Sequence, residues 1–106
     1  MQRGRVDNGP VTRLHSGVTA ALSDYTIVVS AASVPLGPVV FVVTNHGNTR
    51  HSLRVEGQGI DLRTSTLYIG DASVLDVPFE QPGEYTVYCD VGFHAGAGMI
   101  TTLTVE

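Results

Sequence analysis

Apolar and polar positions fall into short runs with a period of two, broken by turn residues. No 3.6-residue period is sustained for any length. Residues 25–29 (Tyr-Thr-Ile-Val-Val) read as a strand, and Val34-Pro35-Leu36-Gly37-Pro38 as a turn. Residues 39–44 are apolar on both parities, which predicts a central strand of a sandwich. Asn45-His46-Gly47-Asn48 breaks that run. From 51 to 56 the chain alternates, with His51, Leu53 and Val55 on one face and Ser52, Arg54 and Glu56 on the other. Residues 57–70 are richer in Gly and polar groups, with one short strand at 66–69. Strands follow at 74–77, at 84–89 after the Gln81-Pro82-Gly83 turn, and at 99–105. Residues 1–17, with Asp7-Asn8-Gly9-Pro10, read as an N-terminal arm or loosely paired edge, and residues 18–106 as a single domain. About seven short strands with this spacing predict an all-β fold, an antiparallel sandwich or small barrel.

Composition agrees. Val and Thr supply 27 of 106 residues and Ala only seven, a balance that suits pleated sheet and not a helical bundle. Hydrophobic residues make up 42% and charged residues 15%, which excludes an intrinsically disordered chain. No apolar run approaches the ~20 residues that cross a bilayer. The net charge is −4, and six scattered arginines with no lysine make no basic stripe, so nucleic acid is not an expected partner. One cysteine excludes an intramolecular disulfide. The acidic residues form no pair that reads as general acid and base.

The chemistry lies in His51, Cys89, His94 and Met99. The last three are spaced Cys-x4-His-x4-Met. Cys89 shares a parity with Tyr85 and Val87, and Met99 with Thr101, Leu103 and Val105; His51 is in phase with Leu53 and Val55. Three of the four therefore sit at strand ends and face one core, and His94 lies in a Gly- and Ala-rich loop that can turn back to them. A thiolate, two imidazoles and a thioether suit a trigonal copper site with a weak axial Met. The sulfurs favour Cu(I), the imidazoles accept either state, and a cage of strand ends resists rearrangement when the charge changes. Zinc sites favour more thiolates or no Met. His46 reads as a solvated loop residue and His15 as surface. Tyr85 reads as a structural tyrosine beneath the site, and Tyr88 as an outward residue near it.

Over roughly residues 20–106 the chain resembles the type 1 (blue) copper proteins, the cupredoxins. Asn45-His46-Gly47-Asn48-Thr49-Arg50-His51 is similar to the family's Asn-x-Gly-x3-His block, and Gly83 to Cys89 to its Gly-x-Tyr-x3-Cys strand. The ligand loop is similar to that of auracyanin and rusticyanin. The resemblance implies a cupredoxin-like Greek-key β-sandwich or barrel holding one type 1 copper ion. It also implies electron transport outside the cytoplasm, periplasmic or extracytoplasmic, with any signal or membrane anchor outside this segment. Electrons would pass through the exposed edge of His94 to a cytochrome, oxidase or reductase, docking transiently on the apolar patch of Gly92, Phe93, Ala95, Gly96, Ala97 and Gly98.

Three positions depart from the family pattern. Phe93 stands where Gly is frequent before the loop histidine, and adds to the apolar patch. Ser52 stands where Asn commonly follows the first histidine, and can bridge to the cysteine loop over a shorter reach. Asp90 follows the cysteine, where a carboxylate disfavours Cu(I) unless it points to solvent. The expected function is a mononuclear electron carrier, not an enzyme. One alternative is an electron-donor domain of a larger copper oxidase or nitrite reductase, although the histidine that wires such enzymes to a second copper is replaced by Tyr88 and Asp90. The other is a copper-trafficking module, which a single Met and one Cys in a preformed cage argue against.

Overall fold

The computed structural model describes residues 16–106. The expectations for residues 1–15, His15 included, lie outside the described residues. Among the described residues nine strands follow in order: β1 (Ser16–Ser23), β2 (Thr26–Val29), β3 (Ser33–Val34), β4 (Gly37–Asn45), β5 (Arg54–Gly57), β6 (Ile60–Arg63), β7 (Ala72–Phe79), β8 (Gly83–Tyr88) and β9 (Ile100–Val105). They form two sheets, ordered β3-β9-β8-β5-β6 and β2-β1-β4-β7. Among the described residues there is no helix.

Alternation explains the sandwich. Val18, Ala20 and Leu22 of β1, Val39, Phe41 and Val43 of β4, and Val77 and Phe79 of β7 are buried from one sheet. Val55 of β5, Tyr85 and Val87 of β8, and Leu103 and Val105 of β9 meet them from the other. Each Val, Leu or Phe among them stabilises the fold by ~1.5–3 kcal/mol when fully buried. Phe79 packs edge-on against both Phe41 (6.4 Å) and Tyr85 (4.7 Å), and the Tyr85 hydroxyl donates to Gln81 O at 2.6 Å. Tyr85 is therefore structural. It lies four residues before Cys89, roughly 13 Å at strand rise.

The sheets are mixed, not purely antiparallel: β1 pairs parallel with β4, and β3 with β9. Two strands carry weak sequence signals. In β1 the buried positions include the small Ala20, and β6 is short, with mostly exposed residues. The β5–β6 hairpin turns at Gln58-Gly59, both with positive φ (49° and 84°), the conformation a two-residue hairpin of this hand demands. Residues 51–53 do not alternate. His51, Ser52 and Leu53 are all buried, and β5 begins only at Arg54. The strand expected at 66–69 is a single bridge between Leu67 and His51. β4 is internal to its sheet, yet its second apolar face is partly open, with Val42 43% exposed beside Val74 at 59%.

Candidate metal centre

Three segments meet at one end of the sandwich. The first is the connection from β4 to β5. Asn45, fully buried, ends β4 and shapes the turn that follows: its Nδ2 donates to Thr49 O (2.9 Å) and Leu67 O (3.0 Å), and its Oδ1 accepts the Gly47 N–H (2.8 Å). The chain is thereby led into His51, whose backbone exchanges hydrogen bonds with Leu67 (3.1 and 2.7 Å). The imidazole of His51 is fully buried.

The second segment joins β8 to β9. The register that pairs Ile100 with Tyr88 brings Met99 opposite Cys89, and the Cys89 N–H donates to Met99 O at 3.1 Å. Both residues are fully buried. Between them the loop folds into successive turns, with His94 N–H donating to Val91 O and Met99 N–H to His94 O, each at 3.0 Å. Gly98 takes φ +123°, and a Cβ there would stand 3.0 Å from Tyr25 O. That carbonyl belongs to the third segment, the β1–β2 turn at Asp24 and Tyr25.

His51 Nδ1, His94 Nδ1 and Cys89 Sγ form a triangle. The two nitrogens lie 3.2 Å apart, and the sulfur lies 3.9 Å from His51 Nδ1 and 3.6 Å from His94 Nδ1. A first-row metal with bonds of about 2.05 Å to nitrogen and about 2.3 Å to sulfur, in trigonal array, needs edges of about 3.5 and about 3.8 Å. The donor set and its dimensions fit a type 1 copper centre. His94 alone of the three is partly exposed, with the Tyr25 ring packed edge-on against it at 5.1 Å. Burial, and then the neighbouring His51, lower the His94 pKa, which favours the neutral imidazole a metal requires.

Around the triangle the polar groups are satisfied. The Ser52 N–H points to the Cys89 sulfur at 3.4 Å. The Ser52 hydroxyl donates to Asp90 Oδ1 (2.5 Å) and accepts the Asp90 N–H (3.2 Å), so the shorter Ser does bridge to the cysteine loop. Asp90 is not turned out to water. Its carboxylate is paired with Arg63 at 2.8 and 3.0 Å, and more loosely with Arg54 at 3.4 Å. Burial raises its pKa, but the hydrogen bonds from Arg63 and Ser52 and the two arginine charges outweigh it, leaving the carboxyl below the usual value. The charge expected to disfavour Cu(I) is thus largely met by guanidinium.

His46 is exposed and outside the cluster. Tyr88 turns outward, its hydroxyl donating to Glu56 at 3.0 Å. Phe93 is 93% exposed, and Gly92, Gly96, Ala97 and Gly98 are exposed beside it, with Ala95 half-buried. Sequence reasoning missed Asp24. Its carboxylate accepts from His51 Nε2 (2.8 Å) and from the Asn48 N–H (3.0 Å), and the hydrogen bond with His51 is the main cause holding its pKa down. A lone Asp in a hairpin turn carries no signal of that role, because its partner is 27 residues away.

A two-sheet β-sandwich with a largely buried His2Cys cluster at one end is the arrangement of a copper-binding domain. The family of copper-binding proteins of the plastocyanin/azurin type matches residues 28–106, and the chain belongs to it. Among solved structures, it is similar to reduced auracyanin from the photosynthetic bacterium Roseiflexus castenholzii, with 14% identity and a TM-score of 0.71 over 88% of this chain and 97% of that one. Reduced rusticyanin gives 18% identity and a TM-score of 0.69, covering 88% and 80%. The copper-containing nitrite reductase of Thermus scotoductus gives 15% and 0.64, covering 88% of this chain and 31% of the enzyme. These likenesses show the fold. Among curated proteins none matches the chain in sequence.

Proposed function

We propose that the protein is an electron carrier, not an enzyme, and that His51, Cys89, His94 and Met99 would hold one type 1 copper ion. The observation that carries this reading is the buried triangle of two imidazole nitrogens and one sulfur, of which only the His94 corner reaches the surface. Copper there supplies a one-electron couple between Cu(I) and Cu(II). The chain's own residues do the rest. The Cys89 N–H bond to Met99 O and the Asn45-built turn hold the donors at one spacing, so little must move when the charge changes. Cys89 and Met99 are sealed from water, and His94 is the contact through which an electron enters and leaves. The small and apolar groups beside it, Phe93 foremost, suit a brief encounter with a redox protein better than a lasting complex. Such a carrier works outside the cytoplasm.

The test is the visible spectrum of the Cu(II)-loaded protein. An intense thiolate-to-copper band should appear, bleach on adding a mild reductant, return on reoxidation, and be absent in Cys89→Ser. A colourless copper complex, or one zinc bound in strong preference with no redox response, overturns the reading.

A further inference from the structure

Asp24 lies outside the residues matched by the family, on the far sheet's β1–β2 turn, yet it makes the only contact of His51 Nε2 shorter than 3 Å among the described residues. That contact is 2.8 Å long, to a carboxylate whose side chain is only 24% exposed; the Thr49 hydroxyl stands further off at 3.4 Å. The turn is committed to this geometry. Tyr25, a bulky residue, takes φ +100°, a conformation such residues keep only where the surroundings impose it. Gly47 faces the pair so closely that an added Cβ would collide with Asp24 Oδ1 and stand 2.7 Å from His51 Nε2. The Asn48 and Thr49 N–H groups and the Thr49 hydroxyl also donate to Asp24, which fixes the carboxylate before any metal binds.

We propose that Asp24 is a positioning residue for His51. Its carboxylate takes the Nε2–H, so the imidazole keeps its lone pair on Nδ1, aimed at Cys89 and His94, and its negative charge strengthens Nδ1 as a donor toward the more highly charged Cu(II). A carboxylate, histidine and metal in line raise ligand basicity and lock the tautomer, and losing the outer partner costs 10–100-fold in metal affinity or activity in other such sites. The inference rests on His51 being a copper ligand, so its test has one arm with metal and one without.

In the metal-free protein, nitrogen-15 NMR of the His51 ring reads the tautomer directly. Wild type and Asp24→Asn, which keeps an acceptor oxygen, should show the proton on Nε2; Asp24→Ala should shift population toward the Nδ1–H form. In the copper-loaded protein, Asp24→Asn should lower the preference for Cu(II) over Cu(I) about tenfold, raising the potential by about 59 mV for a one-electron couple. His46→Ala, at an exposed position outside the cluster, should leave the potential in place. A His51 tautomer unchanged in Asp24→Ala overturns the positioning role whether or not copper binds. A potential unchanged in Asp24→Asn overturns the electronic role. A wild type that binds no copper, with the tautomer nevertheless set by Asp24, overturns the copper reading and leaves the positioning role standing.

Discussion

His51 and His94 face the same point from opposite circumstances. His51 is fully buried, its ring held at Nε2 by Asp24, its backbone paired with Leu67, and the turn before it built on a buried Asn45 side chain. His94 sits in a loop whose hydrogen bonds are nearly all between backbone groups a few residues apart, and among the described residues its ring is braced by the other rings and the sulfur. One imidazole is a fixed donor locked by long-range polar contacts. The other is half-open and locally held. A redox centre gains from the asymmetry, since the same ion needs a rigid cage and one edge through which partners couple to it.

Deleting each ring breaks that comparison most strongly. His51→Gly and His94→Gly should both lose the visible band. Added imidazole should restore it at least about tenfold more readily in His94→Gly, because that gap opens toward solvent while the His51 gap is sealed and walled by Asp24. Titrating the band against imidazole concentration reads the difference. Equal rescue in both would mean the two sides of the site are equally open.

The same asymmetry sets how much of the protein was legible beforehand. The loop side is local: Cys89, His94 and Met99 lie within eleven residues, and strand parity alone turns Cys89 and Met99 inward. The His51 side depends on distance in sequence. Asp24, Leu67 and Asp90 reach it from three other segments, and no periodicity announces such partners. Likewise β4 is plain as a continuous apolar run and β8 and β9 in the alternation, whereas β1, with an alanine at a buried position, and the short, exposed β6 are not. The parallel pairing of β1 with β4 is a long-range choice that single-strand patterns do not contain.

Stability separates the two sides next. Asn45→Ala strips the buried Gly47 N–H of its partner and takes one donor each from the Leu67 and Thr49 carbonyls, the former still accepting the His51 N–H, and an unsatisfied buried group costs ~1–3 kcal/mol. The metal-free protein should lose ~2–4 kcal/mol in denaturant unfolding. Ala97→Gly in the exposed ligand loop should cost under ~1 kcal/mol. A loop change as costly as Asn45→Ala would show that both sides are equally structural.

Met99 sharpens the comparison without breaking it. Fully buried opposite Cys89, it can be exchanged for residues of similar volume with the fold retained. Met99→Leu, with no donor, should keep the colour and raise the potential; Met99→Gln, whose amide oxygen favours Cu(II), should lower it. Voltammetry of the two variants reads the shift. Potentials unmoved in both would make Met99 core packing and the centre three-coordinate.

The smallest effect is expected at the outer edge of the five-stranded sheet, where Arg54 pairs with Asp61 through two contacts of 2.8 and 2.7 Å and reaches Asp90 only at 3.4 Å. The Arg54 hydrogen bond holds the Asp61 carboxyl below its usual value. A carboxyl lowered in the folded state contributes stability that is fully present above the unfolded value, about 3.9, and fades as pH falls through the lower folded one. Asp61→Asn should therefore flatten a slight loss of stability below about pH 4 and leave neutral stability almost unchanged, since the pair is exposed and water screens it. The potential should stay where it is, because Asp90 keeps its close contacts with Arg63 and Ser52. Unfolding curves across pH 2.5–7 (on the order of half-unit steps), with voltammetry at neutral pH, check both statements. A potential that moved in Asp61→Asn would mean that Arg54, and not Arg63, is the cation that neutralises Asp90 beside Cys89.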